Sequence, residues 1–122
     1  MQRTIFEPEH DQFRESVRQF LARSVVPRID AFERAGIVDR DVFLAAGEAG
    51  FLGFAVPEEH GGGGVRDFRY NAVLGEECQA VGAGSAGLGL TLHTDICLPY
   101  FLDLTTEEQK ACLLYTSDAA DE

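Results

Sequence analysis

The stretch from Gly50 to Val65, GFLGFAVPEEHGGGGV, constrains the fold more than any other. Pro57 lacks a backbone N–H and drives Val56 away from helical geometry, so no helix runs through it. Gly61 to Gly64 are four consecutive residues with free access to positive φ. Phe51, Leu52 and Phe54 sit among the glycines that open the stretch. Burying each such side chain is worth about 1.5–3 kcal/mol, which a flexible linker would forgo. The expectation is an ordered turn between two helical halves, anchored to a core by Phe51, Leu52, Phe54 and Val56.

The flanking sequence reads as helices. Glu7-Pro8 opens the first, with Pro8 at a tolerated first-turn position and Glu9 near the positive helix end. Phe13, Val17, Phe20 and Leu21 share an apolar face, and Arg14, Glu15, Arg18 and Gln19 fill the polar one. Pro27 predicts a kink or short break, Ile29 and Phe32 continue the buried face, and Gly36 ends the segment. Asp39 or Asp41 is a candidate cap for a helix carrying Val42, Phe43 and Ala46, which Gly50 closes in a left-handed conformation. Asp67 caps a further helix with Tyr70, Val73, Leu74, Cys78 and Val81 on one face. Glu76 and Glu77 lie beside that face and read as solvated. Leu88, Leu92 and Ile96 repeat every four residues, predicting a helix from about Ser85 that Pro99 bends or ends. Thr105 and Glu108 have capping-box spacing for one more. Strand patterns are missing. The fold class expected is all-α, an orthogonal helical bundle of about five or six helices.

At 122 residues the natural prior is one domain. A hydrophobic fraction of 45% with 10% aromatics is that of an ordered globular chain. The net charge of −11 argues against nucleic-acid binding and against docking on anionic lipid. Cys78, Cys97 and Cys112 form no C-x-x-C and read as reduced thiols. The start has no apolar signal region, and no run reaches the ~18 residues of a membrane span. A cytoplasmic protein is expected.

Few residues invite chemistry. His10, His60 and His93 are scattered and match no metal-ligand spacing, so no metal site is expected. Gly82 to Gly87 spell G-x-G-x-x-G, but a helix precedes them where a dinucleotide fingerprint needs a strand. Glu76 and Glu77, adjacent on a helix, point about 100° apart and cannot face one substrate as acid and base. No catalytic residue is expected.

Several segments, in order and spacing, resemble the N-terminal helical domain of the acyl-CoA dehydrogenases. They are Phe6, Glu9 and His10; Arg18 to Leu21; Val25 and Pro27; Ala46 to Gly64; Glu76-Glu77; Leu90 to Phe101; and Thr106 to Lys110. Leu92-His93-Thr94-Asp95 looks most like the long-chain-type members. The resemblance implies a flavoprotein that uses FAD to oxidise acyl-CoA thioesters at the α,β bond. It implies acyl-CoA as substrate, an electron-transfer acceptor as partner, and a homo-oligomer. It also places FAD and the catalytic Glu in two later domains, so the cofactor-binding residues are unknown here. What this domain supplies, by the same resemblance, is one wall of the acyl pocket, at Leu88, Gly89, Leu92 and Ile96. Two alternatives stand beside these readings. The same residues can simply pack in the helical core, and the chain can be a non-catalytic helical acyl-binding or interaction module.

Cys112 to Glu122, CLLYTSDAADE, breaks the amphipathic pattern that Glu107 to Lys110 begin. It resembles a translated sequencing-adapter end. The expected division is therefore a helical domain over residues 1–111, cut short, and a non-native tail over residues 112–122.

Overall fold

The computed structural model describes residues 3–118, and no strand occurs among them. In chain order the helices are α1 (Pro8–Ser24), α2 (Ile29–Ala35), α3 (Arg40–Glu48), α4 (Phe68–Ala80), α5 (Leu88–Leu92), α6 (Leu98–Asp103) and α7 (Glu107–Asp118). They fall into two units. One joins the residues up to Val38 with Asp67–Gly87; the other joins Asp39–Arg66 with the residues from Leu88 onward.

In the first unit α1 packs along α4. Val17, Phe20 and Leu21 of α1 and Val73, Leu74 and Cys78 of α4 are buried. Phe13 meets Tyr70 edge to face, with ring centroids 5.0 Å apart. Val81, expected on the same face, is exposed because it falls at the C-cap of α4. Pro27 breaks the helix as anticipated: a 3₁₀ turn, Val26–Arg28, separates α1 from α2. Gly36 then closes α2 at φ 73°. Asp67 caps α4 by accepting the Arg69 N–H at 3.0 Å.

The helix expected from about Ser85 starts three residues later, at Leu88. The residues before it are used to close α4. Gly82, at φ 74°, donates to the Gln79 carbonyl, and Ala83 donates to that of Cys78. This pair of bonds is a Schellman ending, and the turns that follow run to Gly87.

The second unit is organised by the glycine stretch. Gly50, at φ 85°, ends α3 with another Schellman pair: Gly50 N–H to the Gly47 carbonyl and Phe51 N–H to that of Ala46. Asp39 is the N-cap of α3, without a side-chain cap bond. Residues 62–65 fold back over 53–57. Gly63 N–H donates to the Gly53 carbonyl, Gly64 N–H to that of Val56, and Val65 N–H to that of Phe54. Phe51, Leu52, Phe54 and Val56 are all buried, as their composition required. Arg66 ties the end of this loop to Asp103 through two bonds of 2.9 and 3.1 Å.

Val56 packs with Leu98, Leu102 and Leu114 in one cluster, with Ala55 and Phe101 against it. Pro99 does not end its helix: α6 carries it near the N-terminus and continues to Asp103. The expected capping box shifts by one residue. Thr106 N–H donates to Gln109 Oε1 at 3.1 Å, and Gln109 N–H donates to Thr106 Oγ at 3.2 Å. Thr105 is not free for the role because its hydroxyl donates to the Phe101 carbonyl. Helix α7 runs through Cys112 to Asp118, and Leu114 is buried. The end of the expected tail, residues 119–122, lies outside the described residues.

A Cβ on Gly62 would run into the Val56 carbonyl oxygen, whereas one on Gly53 would meet nothing within 4 Å. Gly62→Ala is expected to cost about 1–3 kcal/mol in denaturant unfolding, as overpacking against fixed backbone does. Gly53→Ala is expected to stay within about 0.5 kcal/mol of the parent.

Candidate functional site

Three groups of side chains could serve a function. The first is ionic and lies in the first unit. Glu77, read from the sequence as solvated, is only 4% exposed. It accepts from Arg14 at 2.7 Å and from Arg18 at 2.9 Å. Burial pushes its carboxyl up, but Arg18 and Arg14 outweigh burial and hold it below the usual carboxylate range. Glu76 accepts from Arg3 at 3.1 Å and pairs with Arg14 at the same distance. Bonding to Arg3 lowers its carboxyl, with Arg14 adding to the effect against burial. The signal for this pairing lay on the other helix, where Arg14 and Arg18 stand four residues apart on one face of α1.

His10 is fully buried beside this network. Its Nδ1 accepts the Glu7 N–H at 2.9 Å, so the ring proton sits on Nε2, 3.0 Å from Asp67 Oδ2. Asp67 also accepts from the Arg69 guanidinium at 2.8 Å. The Arg69 bonds hold its carboxyl far below the usual range. Glu7, Glu9 and His10 bring possible ligand atoms within 4.8 Å of one another. Both ring nitrogens of His10 are already engaged, so this cluster ties the start of α1 to the start of α4 and leaves no nitrogen for a cation. The Cys78 thiol is pushed up to about 11 by burial and by Glu77, and is not a thiolate nucleophile at neutral pH.

The second group is the glycine run Gly82 to Gly87. A Cβ on Gly84 would meet the Gln79 amide at 2.7 Å, and one on Gly87 would meet Cys78 Sγ at 2.7 Å. These glycines let the chain close on its own side chains and do not form an open phosphate cradle. A cleft of about 420 Å³ beside them is lined by Phe32, Glu33, Gly36, Ile37, Val38, Ser85 and Ala86.

The third group is the one the sequence singled out. Helices α5 and α6 are joined without a break by a π turn, His93–Cys97. Leu98 N–H donates to the His93 carbonyl, five residues back. Two rows with a four-residue repeat run along this helix. Leu90, Thr94, Leu98 and Leu102 are buried; Leu88, Leu92, Ile96 and Tyr100 are 61%, 44%, 50% and 59% exposed. The Thr94 hydroxyl is satisfied inside the helix, 3.2 Å from the Leu90 carbonyl. Leu88, Leu92 and Ile96 therefore share one exposed apolar face. Gly89 differs from its neighbours: the room a side chain would take there is filled by the Phe43 ring, 2.7 Å from the Cβ position. An apolar row this long left exposed marks a surface that meets something apolar.

Residues 7–116 match the family model described as Acyl-CoA dehydrogenase, N-terminal domain. The chain is similar to long-chain specific acyl-CoA dehydrogenase, mitochondrial, of Mus musculus. The two are 46% identical over 107 residues, which are 88% of this chain and 24% of that protein. It is similar to isovaleryl-CoA dehydrogenase, mitochondrial, of Solanum tuberosum, 34% identical over 108 residues, covering 87% of this chain and 26% of that one. A crystal structure of acyl-CoA dehydrogenase from Geobacillus kaustophilus is similar in fold, with a TM-score of 0.89 and 36% identity. That match covers 98% of this chain and 31% of the other. The chain spans about a quarter of the length of the curated relatives it matches.

Asp67, Glu76 and Glu77 all titrate below their ordinary values in the fold. The unfolded chain therefore takes up protons first as pH falls. The stabilisation is complete above the ordinary carboxylate range and is lost below about pH 4. Urea midpoints between pH 7 and pH 3 should fall, and Glu77→Gln should flatten part of that fall. At pH 7 Glu77→Ala is expected to cost about 3 kcal/mol, since it leaves Arg14 half-buried without Glu77.

Proposed function

The chain belongs to the acyl-CoA dehydrogenase family, and from that premise we propose that it is the N-terminal part of an FAD-dependent oxidoreductase acting on acyl-CoA thioesters at the α,β bond. Its own contribution is one wall of the acyl pocket, made by Leu88, Leu92 and Ile96. The observation that carries this reading is the exposed apolar row on a helix whose opposite row is buried. A saturated alkyl tail has no polar group to satisfy, so a wall without polar side chains is what it requires. Gly89 belongs to that wall through Phe43, whose ring takes the place beside it.

FAD supplies the two-electron acceptor of this chemistry. The turn at Gly82 to Gly87 does not fit its pyrophosphate, because the glycines there are closed against Gln79 and Cys78. We therefore assign the flavin site and the proton-abstracting Glu to the remainder of the complete protein. The same reading gives it acyl-CoA as substrate, an electron-transfer acceptor as partner and a homo-oligomeric state. Three scattered cysteines, one of them a buried thiol, support a reducing, cytoplasmic setting.

Two measurements test the reading. In the complete flavoenzyme, Leu92→Trp should fill part of the pocket and shift the preferred acyl length downward, with kcat/KM for the longer substrates falling by about tenfold or more. An unchanged length profile would remove Leu92 from the wall. The purified 122-residue chain should bind FAD well below one equivalent; a stoichiometric yellow complex would place the main flavin site here after all.

A further inference from the structure

We draw no further inference here: the strongest candidate, the cleft of about 420 Å³ between the end of α2 and the turn at Ser85-Ala86, has a mainly apolar lining whose two polar side chains, Ser85 and Glu33, are bonded to each other, and nothing in the structure shows what covers it.

Discussion

The second unit depends on a backbone contact that only glycine allows. Gly62 lies so close to Val56 that any side chain would strike the Val56 carbonyl. That approach lets the loop bond back over residues 53–57 and holds Val56 at 1% exposure. Val56 in turn packs with Leu98, Leu102 and Leu114. Leu98 and Leu102 fix which side of their helix faces inward, and so fix that Leu92, Ile96 and Tyr100 face outward. A conformational property of one residue thus reaches the apolar surface through a single layer of packing.

The first unit is held differently. Its apolar seam between α1 and α4 is edged by a carboxylate that is itself buried. Taking Glu77 out of water is costly, and two guanidiniums from the facing helix offset the cost. The same seam is pinned at one end by a neutral histidine between a backbone N–H and Asp67. These groups look like machinery when viewed singly. Each has its hydrogen-bonding capacity used within the unit, which makes them fasteners between helices.

Much of this was readable from the residues. Glycines followed helix ends at Gly36 and Gly50, where left-handed geometry is cheapest, and Pro27 broke the first helix where a missing N–H had to. The burial of Phe51, Leu52, Phe54 and Val56 followed from their cost in water. Three features were not readable, each for a physical reason. The fate of Glu77 depends on Arg14 and Arg18, about sixty positions away, which local periodicity does not see. The cap at α7 depends on which of two adjacent threonines is free, and the Phe101 carbonyl decides it. The four-residue repeat of Leu88, Leu92 and Ile96 was read as an α-helix, although that spacing differs from 3.6. Leu88, Leu92 and Ile96 span only about 80° on an ordinary α-helix, so their spacing does not reveal the π turn.

That π turn also bears on how such chains diverge. A five-residue closure becomes an ordinary four-residue one when a single residue is lost from it, with the hydrogen bonds on either side kept. The residue lost takes with it about the winding that the wider closure had absorbed, so the positions on either side keep their faces. A one-codon loss in His93–Cys97 would thus leave Leu88 and Tyr100 on the outer face and change only the residues within the turn. Relatives that gained or lost that codon would keep equivalent residues at the same point in space, displaced by one column beyond the turn in an ungapped alignment.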